Sequence, residues 1–156
     1  MSDFESDCIR TVTFFKIPVY SIKAFFHNAQ RKENVMDMTS SGSWSLTITP
    51  IRKVNIAHLT NSLVQKLIQV SPDDTSNLPQ ILKFKSILPP KLTLDSSQSI
   101  KFECSAGNRV LQVQSQDGPL GDMDGIVICD LLAKVYFDSA YRGLPCPDLL
   151  KNIKKI

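Results

Sequence analysis

Strict alternation of apolar and polar residues marks positions 43–49, where Trp44, Leu46 and Ile48 share one side and serine or threonine fills the other. A period of two positions is typical of a half-buried β-strand, because successive side chains of a strand point to opposite faces. We therefore predict a strand here, ended by Pro50.

Helical spacing replaces this alternation over residues 56–70. Apolar side chains recur there every three or four positions, and Asn55 stands immediately before them. An asparagine in that place accepts a hydrogen bond from the first helical turn, and Pro72 disfavours helix in the residue that precedes it. These signals predict an amphipathic helix over residues 56–70, the strongest helix of the chain.

Further strands are predicted on both sides of this helix. Residues 99–104 and 109–114 alternate cleanly around a turn at residues 106–108, which is typical of a β-hairpin. Residues 9–17 are rich in β-branched and aromatic side chains and stop at Pro18, as a strand would. We also expect strands over residues 80–88 and 91–94.

The segments between these elements are polar or ambiguous. Residues 27–42 are predicted to be a surface loop that includes a short helix, and residues 116–125 a flexible acidic loop. Residues 126–137 fit either a buried strand or an apolar helix, because periodicity does not separate the two in so apolar a run. Strands grouped around one strong helix, with a less certain C-terminal helix, predict an α+β domain with a mostly antiparallel sheet.

Composition indicates one folded domain. The chain has 156 residues, of which 42% are hydrophobic, and no apolar run approaches the roughly 20 residues that a membrane-spanning helix needs. We expect a mobile acidic tail over residues 1–8, a single globular domain over residues 9–150 and a basic tail over residues 151–156. The acidic start lacks the features of a secretory signal, so an intracellular location is expected.

The four cysteines stand at positions 8, 104, 129 and 146 and form no C-x-x-C pair. Such irregular spacing favours neither a metal site nor thiol exchange. We therefore expect reduced thiols that pack in the core as small hydrophobic residues.

Candidate catalytic groups are scarce. The only two histidines, His27 and His58, stand in no catalytic or metal-ligand spacing, and the sequence contains no phosphate-binding glycine motif or nucleophile elbow. The acidic loop over residues 117–125 does not fit an EF-hand, since Leu120 falls where the first carboxylate is required. We expect no enzymatic activity, no bound metal and no cofactor.

Charge is divided along the chain. Residues 9–70 carry eight basic and two acidic side chains, whereas residues 117–138 carry five acidic and one basic. A basic face attracts phosphate or anionic lipid, and opposed patches favour the docking of one copy on the next. The candidate polyanion-binding residues are Arg31, Lys32, Arg52, Lys53, Lys83 and Lys85, and the candidate self-association residues are Asp117, Asp122 and Asp124.

The order of elements around the helix resembles the core of rhabdovirus matrix proteins, in particular the short plant type. The shared pattern is a strand, Pro50, the basic pair Arg52-Lys53, the amphipathic helix and the segment over residues 82–88. The late-budding motif of the animal members is incomplete here, because residues 89–92 end in leucine where that motif has tyrosine. Recruitment of budding machinery is therefore not implied.

This resemblance implies a non-enzymatic structural protein of the virion and host cytoplasm. It implies binding to nucleocapsid ribonucleoprotein or to anionic membrane, contact with RNA and lipid, and self-association, with no small-molecule substrate. The alternative is an adaptor or subunit of a cellular protein complex, which would act through an apolar groove or a sheet edge.

Overall fold

The computed structural model describes residues 2–12, 17–72 and 75–156, so the predicted strand over residues 9–17 lies partly outside the described residues. Short 3-10 helices occur at Thr75–Asn77 and Pro147–Leu150. The remaining elements in chain order are β1 (Ser2–Val12), β2 (Ile17–Ala29), α1 (Val35–Ser41), β3 (Ser43–Pro50), β4 (Val54–Asn55), α2 (Ile56–Val70), α3 (Leu78–Ile87), β5 (Thr93–Leu94), β6 (Ile100–Cys104), β7 (Val110–Ser115), β8 (Gly118–Asp124), α4 (Ile128–Phe137) and β9 (Lys154–Lys155).

One antiparallel sheet of seven strands organises the described chain, in the order β8-β7-β6-β3-β2-β1-β9. Strand β3 lies at its centre and buries Trp44, Leu46 and Ile48, which confirms the predicted alternation. The predicted hairpin is formed by β6 and β7, in which Phe102 pairs with Val113. A separate ribbon joins β4 to β5.

The helices of the described chain pack against one face of this sheet. The centre of the Phe137 ring on α4 lies 5.2 Å from the centre of the Phe26 ring on β2. The Phe137 and Trp44 rings pack edge to face, with their centres 5.6 Å apart. Large aromatic surfaces contribute strongly to such a core, and the edge-on arrangement is favoured by the charge distribution of the rings. The prediction of a single α+β domain with a mostly antiparallel sheet is confirmed.

Helix α2 begins where the sequence predicts. The Asn55 side-chain oxygen accepts a hydrogen bond of 2.7 Å from the backbone N–H of Ala57, which caps the first turn. The buried residues Ile56, Leu59, Leu63 and Leu67 lie three or four positions apart, so one stripe of the helix faces the core.

The first residues of the chain do not form the expected mobile tail. Residues 2–8 belong to β1, which pairs with β2 and buries Phe4, Ser6 and Cys8 on the core side. The acidic side chains between them point to the opposite face of the sheet. Their charge therefore hinders neither the burial of the core-facing residues nor the pairing of β1 with β2. Residues 154–155 likewise form a short strand, β9, in which Lys154 lies 3.6 Å from the Glu5 carboxylate.

Helix α3 occupies most of the segment predicted as a strand over residues 80–88. Lys83 and Lys85 alternate there with apolar residues, and over so few positions this alternation has the same period as a β-strand. The buried positions are Ile81 and Phe84, three apart, so tertiary packing selects the helical period.

The acidic segment predicted as a loop contains the edge strand β8. Strand β8 pairs antiparallel with β7. The pairing runs from Gly118 opposite Ser115 to Asp124 opposite Val110, with a register shift next to Val113. Sheet pairing therefore outweighs the local turn preference of its glycine, proline and aspartate residues. Residues 128–137 form α4, which settles the open choice between strand and helix in favour of a helix.

All four cysteines form disulfides, so the expectation of reduced thiols is wrong. Cys104 on β6 is bonded to Cys129 on α4, and Cys8 on β1 is bonded to Cys146. The sequence spacing gives no signal of these pairs, because each bond links elements that only the tertiary fold brings together. Their Cα atoms are 6.0 and 6.4 Å apart, within the usual range for a disulfide.

Candidate functional site

The candidate polyanion-binding residues do not meet at one place. Arg31 and Lys32 follow β2 and lie beside the Ser43 end of β3, whereas Arg52 and Lys53 follow the opposite end of that strand. A strand of this length separates the two pairs by about 25 Å, since each residue advances about 3.3 Å. Two further candidates, Lys83 and Lys85, are exposed on α3.

The candidate self-association residues lie at one edge of the sheet. Asp117 occupies the tight turn that precedes β8, and Asp122 and Asp124 alternate along that strand. The Asp124 carboxylate accepts a hydrogen bond of 3.1 Å from the backbone N–H of Ile126. These three exposed residues therefore lie along the edge strand β8 and the turn that precedes it.

The two histidines stay apart. His27 Nδ1 lies 3.0 Å from the Asp3 carboxylate on the outer face of the sheet, in an open groove of about 680 Å³. His58 is exposed on α2. Within the described ranges no three histidine, cysteine or acidic side chains come together in a way that could hold a metal ion.

A different cluster forms around Arg10, a residue that the sequence singled out only as part of the basic half. Arg10 continues the core-facing series of Phe4, Ser6 and Cys8 along β1 and is half-buried. It pairs directly with Tyr20 on β2, and the strand register shifts just after it. Such irregularities often occur beside binding sites, because they redirect a side chain.

Every tyrosine of the chain lies within the electrostatic reach of this guanidinium. The chain has three tyrosines, Tyr20 on β2, Tyr136 on α4 and Tyr141 just beyond α4. Burial raises the pKa of each hydroxyl, and the positive charge of Arg10 acts in the opposite direction on all three. The phenols are therefore protonated at neutral pH and available as hydrogen-bond donors.

Lys66 adds a second positive charge to the cluster. Burial lowers the pKa of its ammonium group, and the charge of Arg10 lowers it further. The ammonium nitrogen donates a hydrogen bond of 2.7 Å to the carbonyl oxygen of Gly143 and lies 6.0 Å from the centre of the Tyr141 ring. Tyr141 in turn donates a 2.6 Å hydrogen bond to the side-chain oxygen of Gln69. Helix α2 thus holds the segment that carries Tyr141.

This cluster is cationic, and the described residues supply it with no carboxylate partner. Among the described residues, no carboxylate lies within salt-bridge distance of Arg10 or Lys66. Two like charges close together at a partly buried position repel each other, and an anion between them relieves that repulsion. The arrangement is suited to a small anionic group that takes two hydrogen bonds from a guanidinium and others from phenols.

Comparisons with known proteins identify a fold. No family model and no curated protein matches the chain. The structure is similar to the crystal structure of a fatty-acid binding protein from Arabidopsis thaliana, with a TM-score of 0.66 over 94% of this chain and 84% of that chain. The sequences are 14% identical in this alignment, so the similarity shows a common fold.

This similarity contradicts the function expected from the sequence. The interpretation of the chain as a matrix-type protein that assembles on ribonucleoprotein or membrane is wrong, because the structure shares its fold with a fatty-acid binding protein. The alternative of an adaptor subunit gains no support from the same comparison. No helix in the described part of the chain is long and apolar enough to cross a membrane, as the sequence predicts.

Proposed function

We propose that this chain binds a ligand of the fatty-acid class, with the ligand carboxylate at Arg10 and the acyl tail directed into the layer between sheet and helices. The single observation that carries the proposal is the half-buried Arg10, which pairs with Tyr20 on the core side of β1 and whose charge acts on Lys66 and on all three tyrosines. No catalysis is required, and the expectation of a non-enzymatic protein is kept within the proposal.

A carboxylate fits the donors better than a larger anion does. The guanidinium presents parallel N–H groups whose spacing matches the two oxygens of a carboxylate, and neutral tyrosine hydroxyls donate to the remaining lone pairs. A half-buried site of this kind binds one negative charge strongly because less water screens the interaction. The cluster offers two cations, which is suited to a single head group rather than to an extended polyanion.

The core residues nearest to Arg10 on β2 and β3 are apolar. The core-facing residues that follow its partner Tyr20 along β2 are Ile22 and Ala24, and their neighbours on β3 are Ile48 and Leu46. Each of these four side chains is buried, so the core next to Arg10 on β2 and β3 is mainly apolar, with the Ser6 hydroxyl as a polar neighbour on β1. An acyl chain gains free energy from such contact, whereas a polar tail would lose its hydrogen bonds to water.

The shared fold of the Arabidopsis thaliana protein supports this proposal, since that protein is a fatty-acid binding protein. The proposal departs from the expectation that no small molecule is bound. The intracellular location predicted from the sequence is also retained as a proposal. Two disulfides favour an oxidising compartment of the cell, such as the lumen of the endoplasmic reticulum.

Titration with palmitate tests the proposal. Isothermal calorimetry should show one saturable site in the unaltered chain, and Arg10→Gln should weaken binding roughly 10- to 100-fold because a charge-assisted pair of hydrogen bonds is lost. Arg52→Gln is the matched control, since it removes a cation outside the cluster. The corresponding fatty alcohol should bind more weakly than palmitate and should not distinguish Arg10→Gln from the unaltered chain.

Equal palmitate affinity in the unaltered chain and Arg10→Gln, with both variants folded by circular dichroism, would show that the carboxylate does not bind at Arg10. The absence of saturable binding in the unaltered chain would overturn the proposed function altogether.

A further inference from the structure

The disulfide between Cys8 and Cys146 lies next to the proposed ligand site. Cys8 precedes Arg10 by two residues on the same side of β1, so the two side chains are successive neighbours on the core face of that strand. Cys146 belongs to the segment over residues 138–150, which we call the C-terminal strap. The strap also carries Tyr141, whose hydroxyl responds to the charge of Arg10.

The C-terminal strap is fastened at both of its sides. Towards the helices, Gly143 accepts a hydrogen bond from Lys66 and Tyr141 donates one to Gln69. Towards the sheet, the buried Ser6 hydroxyl donates a 2.7 Å hydrogen bond to the carbonyl oxygen of Leu149, and Cys146 is bonded covalently to Cys8. The strap therefore connects α2 to β1, and its covalent attachment lies two residues from Arg10.

The two disulfides differ in accessibility and in position. Cys104 and Cys129 are each 1% exposed and join β6 to α4 within the core. Cys8 is 8% exposed and Cys146 is 4% exposed, at the edge where the strap meets the sheet. A reductant that approaches from solvent therefore meets the strap disulfide first, since thiol–disulfide exchange requires direct access to a sulfur atom.

We infer that the Cys8–Cys146 bond is a redox latch on the ligand site. With the bond intact, the strap is held against β1 and a bound carboxylate leaves slowly. With the bond reduced, only noncovalent contacts hold the strap, which opens more often and releases the ligand faster. This inference rests on the proposed function, because it assumes that the ligand carboxylate lies at Arg10.

Opening of the latch requires only a dithiol reductant, which is either a small molecule or a protein. One thiolate of the dithiol attacks a sulfur of the Cys8–Cys146 bond and forms a mixed disulfide, and the other cysteine leaves as a thiolate. The second thiol of the dithiol then displaces the remaining cysteine. Two electrons and two protons pass to Cys8 and Cys146, and the dithiol becomes a disulfide. Re-oxidation by a disulfide of the same class reverses each step.

The test uses the full chain with one disulfide at a time. Cys104→Ala combined with Cys129→Ala retains only the strap disulfide, and Cys8→Ala combined with Cys146→Ala retains only the core disulfide and serves as the control. Stopped-flow measurement of the release of a fluorescent fatty acid is made with and without dithiothreitol. We expect reduction to raise the release rate at least 10-fold in the first variant and to leave it unchanged in the second.

A ligand-independent measurement separates failure of the latch from failure of the proposed function. Hydrogen exchange at the backbone amides of Tyr141 and Leu149, which are hydrogen-bonded within the strap, should become at least 10-fold faster on reduction. If fatty acid binds but reduction of the strap disulfide changes neither the release rate nor the hydrogen-exchange rate, the latch is disproved and the binding function stands. If exchange accelerates but no fatty acid binds, the proposed function fails, and with it the role of the strap in ligand release.

A variant that does not fold is replaced by the unaltered chain at graded dithiothreitol concentrations, with the oxidation state of each cysteine read by mass spectrometry. Faster release that follows reduction of Cys104 and Cys129, rather than of Cys8 and Cys146, would also disprove the latch.

Discussion

The Lys66 ammonium donates a hydrogen bond to the carbonyl oxygen of Gly143 across 77 positions of sequence. This bond ties the C-terminal half of α2 to the strap that carries Tyr141 and Cys146. It also holds the ammonium group close enough to Arg10 for the two charges to interact. The geometry of the cluster therefore depends on a contact between distant parts of the chain.

Ligand affinity should depend on pH through Lys66. Burial and the charge of Arg10 lower the pKa of Lys66 from its ordinary value of 10.5, so the group loses its proton at a lower pH than a free lysine does. The neutral amine no longer attracts a carboxylate, and affinity for palmitate should therefore fall as pH rises through that lowered pKa. Titrations from pH 7 to pH 10 would show the decline. It should disappear in Lys66→Gln and persist in Lys83→Gln.

Loss of either disulfide should lower the free energy of unfolding. The Cys8–Cys146 bond spans 138 positions and the Cys104–Cys129 bond spans 25, so the first restricts the unfolded chain more. We expect losses of about 5 and about 3.5 kcal/mol from chain entropy for the respective double alanine variants. Urea unfolding measures both, and a larger loss for the Cys104–Cys129 pair would contradict this ranking.

The buried Ser6 hydroxyl should contribute to the attachment of the strap. Ser6→Ala leaves the carbonyl oxygen of Leu149 without the donor that it has in the folded chain. A buried acceptor that loses its partner costs about 1–3 kcal/mol. Ser21→Ala, at an exposed position of β2, is the control and should change stability by less than about 0.5 kcal/mol. Thermal unfolding of the two variants distinguishes these outcomes.

Gly125 should tolerate no side chain. A Cβ atom there would lie 2.6 Å from Cys129 Sγ, 2.7 Å from the carbonyl oxygen of Arg109 and 3.0 Å from the backbone nitrogen of Leu111. Gly125→Ala should therefore cost about 1–3 kcal/mol through crowding at the start of α4. Gly107→Ala is the matched control, because a Cβ atom there meets nothing within 4 Å and the cost comes only from its φ of +80°. A loss below about 1 kcal/mol in Gly125→Ala would contradict the role of crowding.

Sequence patterns located the elements whose burial is one-sided. Residues 43–49 and the β6–β7 hairpin each bury one face of a strand, and α2 buries one stripe, so period and environment agree. The cap at Asn55 is a local interaction and could be predicted for the same reason. Fold class follows from these elements and needs no knowledge of long-range contacts.

Other elements depend on contacts that no local window contains. Strand β8 is rich in turn-forming residues and becomes a strand only because β7 offers it a partner. The candidate site has the same origin, since Arg10, Lys66 and Tyr141 come from three distant segments. Three tyrosines in 156 residues are an unremarkable count in sequence, and only the tertiary structure shows that the charge of one arginine acts on all three.

The separation between Arg10 and the strap also has a consequence for the order of folding. Strands β1, β2 and β3 are consecutive neighbours in the sheet and close short loops, whereas the strap must return to β1 across almost the whole chain. Contacts that close long loops tend to form late, and interactions absent from the transition state act mainly on the unfolding rate. A fatty acid held at Arg10 should thus prolong the lifetime of the native state without accelerating its formation.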